Sequence, residues 1–414
     1  MNGSSTAWML MSIALVLLMT PGLAFFYGGL VHEKQVLNTI KMSFIALGVI
    51  ALEWAIVGYS LAFAPGSSLI GDFSFVGLRN VTAEPNAMYS DEIPHLVFMA
   101  FQMMFAIITP ALISGAIVGR MKFRAYILFI LAWTLLVYNP IAHWVWGPGG
   151  WIGELGALDF AGGTVVHISA GCSALVAALM LGPRRQQGSE FSVNNPHNVP
   201  FVVLGASLLW FGWFGFNAGS ALAADGVAAL AVVTTMLAAA AAVVTWVLGE
   251  MFRSGKPTAT GASIAAVVGL VAITPAAGFV TPMSAIAIGA VASLVSFVAI
   301  DLIRRTGLDD TLDVFACHGL GGMVGCILTG VFATTNVNPG GADGLLYGNA
   351  GLLLPQLISV AAAGTYAAIM TYLILFPIKQ LMGIRAGYEA EEFGIDMTEH
   401  DEYAYVRDSI NHSR

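Results

Sequence analysis

Apolar residues run along this chain in long blocks separated by short polar segments. The blocks fall near residues 7–31, 40–64, 95–119, 124–141, 162–182, 200–221, 226–251, 260–274, 283–303, 314–333 and 351–378. A helix that crosses a bilayer needs about 20 mostly apolar residues. The pattern therefore predicts an all-α polytopic membrane protein with eleven transmembrane helices.

The basic residues sharpen this layout. With the N-terminus outside, the inner segments hold Lys34, Lys41, Arg120, Lys122, Arg124, Arg184, Arg185, Arg253, Lys256, Arg304, Arg305, Lys379, Arg385, Arg407 and Arg414, which is 15 of the 16 Lys and Arg residues. Only Arg79 falls outside. Lys and Arg accumulate on the cytoplasmic side of membrane proteins, so the chain is expected to begin outside and end in the cytoplasm. The stretch 385–414 changes character: Glu389, Glu391, Glu392, Asp396, Glu399, Asp401, Glu402 and Asp408 make it an acidic tail. It reads either as a solvated tail or as a regulatory segment docked on the inner face.

Composition agrees. Of 414 residues 57% are hydrophobic and 10% charged, against roughly 25% charged in soluble domains. The 47 glycines suit close helix packing in a membrane. The net charge of -8 offers no basic face for nucleic acid. Cys172, Cys317 and Cys326 lie in apolar stretches without ligand spacing and read as small core residues. MNGSSTAW has no basic residue before the first apolar block, so that helix is expected to be retained rather than cleaved as a signal.

An internal repeat is visible. Asp159 precedes His167 by eight residues in DFAGGTVVHISAG, and Asp310 precedes His318 by the same eight in DTLDVFACHGLGG. The two motifs open the fifth and tenth helices. An odd number of helices separates them, so the halves would be inverted, and inverted repeats place a transport site near the midplane between them.

Ionisable groups inside a membrane are functional candidates. Here they are Glu53, His167 and His318. One such histidine would read as an imidazole satisfied by a backbone carbonyl; two in matched positions read as one site. Neutral imidazoles carry one donor and one acceptor each, so a facing pair can line a narrow path, accept from a passing N–H or relay a proton. Zinc is disfavoured because no third ligand lies nearby. Asp159 and Asp310 read as helix N-caps, with a possible electrostatic benefit of Asp159 to a cation. Trp144, Trp146 and Trp151, with the WFGWFGFNAGS segment, read as interfacial aromatics; a subset could hold a cation over its ring faces, worth about 0.5–2 kcal/mol. Glu53 has no assigned role beyond a hydrogen bond in the bundle or a contact with another subunit.

The strings PGLAFFYGGLV, FQMMFAIITPALISGA, NPIAHWVWG, ALDFAGGTVVHISAG, GWFGFNAGS, DVFACHGLGG and EEFGIDMTEHDEYAY together resemble the ammonium transporter family (Amt/Mep/Rh), in its bacterial and archaeal Amt branch. The resemblance covers essentially the whole chain. It implies a domain over 1–384, with pseudo-repeats near 7–182 and 200–333 and a final helix over 351–378, followed by the cytoplasmic tail 385–414. It also implies a homotrimer in the cell membrane with one pore per subunit and no cofactor.

By the same resemblance, His167 and His318 are the twin pore histidines. Trp146, Phe101 and Ser220 form the outer ammonium-recognition site with Asp159 beside it, Phe105 and Phe216 form a stacked gate, and Trp213 lines the pore. The implied cargo is ammonium or ammonia, with methylammonium also accepted, and the implied partner of the tail is a PII-type signalling protein. The alternatives kept open are an ammonium sensor with little flux, a membrane enzyme built on His167, His318 and Asp159, which lacks an evident nucleophile or metal, and a conduit for another neutral gas.

Overall fold

The structure is a computed structural model that describes residues 1–185 and 196–405. Arg407, Asp408 and Arg414, at the end of the acidic tail, lie outside the described residues.

Each apolar block coincides with a helical stretch. These are α1 Gly3–Leu30, α2 Glu33–Phe63, α3 His95–Ile117, α4 Phe123–Glu154, α5 Gly163–Leu181, α6 Val199–Ala221, α7 Gly226–Ser254, α8 Ala259–Ile273, α9 Pro282–Arg305, α10 Phe315–Phe332 and α11 Ala350–Met382. Ten of them are long and apolar enough to cross a membrane among the described residues; α8 is apolar but spans 15 residues. The starts are marked by side-chain caps. Asn2 accepts from the N–H groups of Ser4 and Ser5, Asp225 from Val227 and Ala228, Thr258 from Gly261, and Thr281 from Ser284. Such acceptors serve the first N–H groups of a helix, which have no partner within it.

Contacts sort the connecting segments into two sets. On one side Asn2 bonds Glu92, Trp151 bonds Ser68, Phe160 bonds Pro275 and Thr334 bonds Phe279. This side also carries a small hairpin of β1 Pro85–Asn86 and β2 Ser90–Pro94. On the other side His197 bonds Val31, Lys122 bonds Ile384, and Ala386 bonds Arg120. We call these the hairpin side and the basic side.

On the basic side the acidic tail is docked rather than free in solution. It forms α12 Tyr388–Phe393 and α13 Ile395–His400. Asp396 accepts from Leu37 N (2.9 Å) and Asn38 N (2.7 Å) at the start of α2, His400 Nε2 meets Asn38 Oδ1 at 3.0 Å, and Ile395 is fully buried. Arg120, also fully buried, donates to the carbonyls of Gly182, Ala116 and Asp309 and to Thr311. It thus ties together the ends of α3 and α5 and the segment leading into α10.

In the bundle α1 packs along α6, and α5 lies against the opening turn of α10. Each contact joins elements five apart in the chain.

Candidate functional site

The two histidine helices begin alike. α5 opens with a π-turn over Gly163–Ile168 and α10 with one over Phe315–Leu320. Asp159 Oδ1 accepts from Gly162 N (2.9 Å) and Gly163 N (2.6 Å), and its Oδ2 from Thr164 N (2.8 Å) and Val165 N (3.3 Å). Asp310 Oδ2 accepts from Phe315 N at 2.7 Å. Both aspartates therefore sit as caps, where the partial positive charge of a helix start favours a carboxylate. Burial raises the Asp159 carboxyl above its ordinary range, opposed by its four N–H donors; burial pushes Asp310 up to about 7.

The caps aim His167 and His318 at one point. Their Nδ1 atoms are 3.2 Å apart, both residues are buried, and the rings stack with centroids 5.3 Å apart at 30°. A contact between two Nδ1 atoms requires one to donate and the other to accept, so the pair holds complementary tautomers. The close approach depends on glycine. A Cβ on Gly171 would lie 2.2 Å from Gly319 N, and one on Gly322 would lie 3.1 Å from His167 Cβ. Each glycine stands four residues after one histidine and touches the other histidine's helix.

Aromatic rings continue from the pair. Trp213 stacks on His167 at 5.5 Å and 23°, held by a bond from its Nε1 to Thr274 Oγ1 (2.9 Å). Phe216 lies 6.0 Å from His167 and 4.2 Å from Phe105. Phe105 in turn contacts Phe101 at 4.9 Å and Trp146 at 6.0 Å. Trp146 Nε1 donates to the Asp159 carbonyl (2.9 Å), so one residue both caps α5 and holds this indole. Ser220 Oγ donates to Phe216 O (2.8 Å), and Gly219 beside it packs against the Phe101 ring. Phe101 and Phe105 are buried, while Trp146 and Ser220 are half-buried.

A slim cavity lined by Leu23, Ile108, His167, Trp213, Phe216 and His318 offers about 10 Å³ to the centre of a water-sized molecule, close to the least that holds one water. Trp144 and Trp151 stand apart: they contact each other at 5.7 Å, and Trp144 donates to Leu69 O.

The nine residues that the family resemblance assigns to the site thus fall in one connected group. The sequence reading passed over Thr274, Gly171 and Gly322. The glycines had a signal, because both histidine motifs read His-x-x-x-Gly, in HISAG and HGLGG. Among the described residues no group of three or more His, Cys, Asp or Glu side chains could hold a metal ion.

A polytopic bundle with a buried polar pair where two membrane-length helices meet has the architecture of a membrane transporter. The chain matches the model of the Ammonium Transporter Family over residues 7–405 and belongs to that family. It is 50% identical over 406 residues to an ammonium transporter of Bacillus subtilis (strain 168), covering 98% of this chain and 99% of the relative. The crystal structure of Saccharomyces cerevisiae Mep2 superposes with a TM-score of 0.90 at 36% identity, covering 99% of this chain and 93% of that one. A structure described as a sensor Amt protein gives a TM-score of 0.88 at 29% identity, covering 96% and 98%. The protein is therefore a multi-pass protein of the cell membrane, in a family of ammonium carriers rather than of enzymes.

Proposed function

We propose that the protein takes up ammonium across the cell membrane by binding it at Trp146, Phe101 and Ser220, removing a proton, and passing ammonia between Phe105 and Phe216 along His167 and His318. The observation that carries this reading is the direct apposition of the two imidazoles, 3.2 Å apart, at the end of a continuous run of rings.

The half-buried Trp146 ring and the Ser220 hydroxyl suit a small cation that must be released again. Attraction of about 0.5–2 kcal/mol over an aromatic face is modest enough for that. Asp159 acts through its charge and by holding Trp146, because both carboxylate oxygens are engaged by α5. An ion at mid-membrane is costly, by at least about 2.5 kcal/mol. Ammonia escapes this cost, and the Phe105–Phe216 contact excludes hydrated ions by dewetting. Potassium cannot shed a proton and is rejected. Methylammonium can, and passes. The released proton travels across the shared Nδ1 contact, which makes uptake electrogenic.

The wider layout in this proposal has eleven spans, the N-terminus outside, the C-terminus in the cytoplasm and two inverted halves. The alternating sets of touching loops and the shared Asp, π-turn and His-x-x-x-Gly order of α5 and α10 support it. We take 1–384 as the transport domain and 385–414 as a cytoplasmic tail, the subunit as one of a homotrimer, and the docked tail face as the seat of a PII-type regulator.

The test is charge recording on proteoliposomes with His167→Ala and His318→Ala. Wild-type protein should respond to ammonium and methylammonium but not potassium, and each variant should lose the current or the selectivity. Full transport and full selectivity in both variants would make the histidines merely structural. Ammonium binding without flux in wild-type protein would establish the sensor alternative.

A further inference from the structure

Glu53 is an acid inside the membrane that the transport scheme leaves unused. It is 5% exposed and sits at the edge of a π-turn, Trp54–Gly58, in α2. Asn139, fully buried, follows a second π-turn, Thr134–Tyr138, in α4. Single π-turns inside α-helices concentrate at functional positions. Here they bring two polar side chains together across the α2–α4 contact, where Asn139 Nδ2 donates to Glu53 Oε1 at 2.9 Å.

The remaining atoms of this pair define the problem. Glu53 Oε2 and Asn139 Oδ1 are both buried, and both lack a hydrogen-bond donor. Two acceptors left over on two groups already joined by one hydrogen bond are one proton short. A proton on Oε2 supplies it. The carboxylic O–H donates to Asn139 Oδ1 while Asn139 Nδ2 donates to Oε1, and the two planar groups close a ring with every polar atom satisfied.

The surroundings favour the same state. The seven ion pairs among the described residues all lie elsewhere. The groups packed nearby are uncharged: the Trp54 ring, which lies 6.1 Å from that of Tyr138, and Gly58, where an added Cβ would fall 2.5 Å from Oε2. Tyr138 is the titratable neighbour, and phenols ionise only near pH 10. An unpaired carboxylate buried in such a place is expensive.

We propose that Glu53 carries a proton in the folded protein and closes a carboxylic acid–amide ring with Asn139, forming a proton-holding site in the membrane separate from the histidine pair. The site binds a proton and nothing larger, and it fixes α2 against α4 without placing a charge in the bundle.

The test compares wild-type protein with Glu53→Gln by infrared difference spectroscopy and by thermal unfolding across pH. Glutamine reproduces the neutral acid: its amide can donate to Asn139 Oδ1 and accept from Asn139 Nδ2. The expected difference spectrum loses a protonated-carboxyl C=O band that shifts in D2O, with no loss of a carboxylate band. Ammonium flux in the variant should match wild type.

A group held protonated contributes stability that is lost as pH rises. Wild-type protein should therefore equal Glu53→Gln in melting temperature at about pH 4 and below, where the acid is protonated in both the folded and the unfolded chain, and fall progressively below it as pH rises toward neutrality and beyond. Loss of a carboxylate band overturns the proposal. So does a Glu53→Gln variant that fails to assemble or melts lower at neutral pH, since the amide keeps both hydrogen bonds.

Discussion

Replacing Asp159 with Ala separates two physical roles for one residue. In the structure its carboxylate accepts four backbone N–H groups, from Gly162, Gly163, Thr164 and Val165. A hydrogen bond to a charged group contributes about 1.5–3 kcal/mol, and loss of a helix cap alone costs about 0.5–2 kcal/mol. These values do not add in full, because the four bonds and the cap are the same set of contacts counted twice. About 3 kcal/mol is the expected cost, more than a hundredfold in the folding equilibrium at about 1.4 kcal/mol per tenfold.

Asp159→Asn keeps one acceptor oxygen but turns its NH2 toward two N–H donors, so it should cost about half as much. The assay pairs unfolding in mixed micelles with ammonium uptake in proteoliposomes. Both stability and uptake should fall in Asp159→Ala, with Asn intermediate in stability. If Asp159→Ala abolished uptake while melting like wild type, the capping argument would be refuted, and the carboxylate would be a direct cation ligand.

Two further substitutions test the joints around the path. Gly171→Leu should prevent the α5–α10 approach, since even a Cβ would sit 2.2 Å from Gly319 N; loss of folded protein is expected, checked by yield and gel-filtration profile after extraction. On the basic side, Asp309 binds Arg184 through both carboxylate oxygens and lies 3.5 Å from the fully buried Arg120. Burial alone would raise its carboxyl, but the hydrogen bonds and charge of Arg184, with that of Arg120, hold it below the ordinary range. A carboxylate held low contributes stability that is present above its unfolded pKa and lost as pH falls through its folded one. Asp309→Ala should therefore cost about 3 kcal/mol at neutral pH and melt closer to wild type under acid. An undiminished gap at low pH would contradict the pairing.

Much of this architecture was legible because the bilayer leaves the chain few options. Backbone polar groups in hydrocarbon must pair within a segment, so each apolar block had to be a helix. The blocks at 95–119 and 314–333 correspond closely to His95–Ile117 and Phe315–Phe332. The ends were less visible, since Glu33–Phe63 and Phe123–Glu154 extend well beyond the apolar runs at 40–64 and 124–141. At the first, the polar residues Glu33, Lys34 and Gln35 open a helical turn ahead of the apolar run; at the second, Gly147–Gly150 interrupt a helical stretch that resumes at Trp151. The docked tail was half legible. Its acids showed in composition, but the bond from Asp396 to the start of α2 joins residues about 360 apart, and no local pattern records that.

The histidine pair shows where sequence reading stops. Matched Asp-to-His spacing indicated that His167 and His318 belong to related units, yet spacing along two helices says nothing about the distance between them. That distance is set by a crossing, and the crossing is set by what is missing from the side-chain layer. Gly171 and Gly322 remove the Cβ atoms that would hold the two backbones apart. A repeat that carried His without the glycine four residues later would keep the donor and the acceptor but separate them beyond hydrogen-bond reach. The unit to look for in a chain of this kind is therefore the whole string, a capping Asp, then His eight residues on, then Gly four residues further, because only together do these residues fix both the direction and the depth of each imidazole.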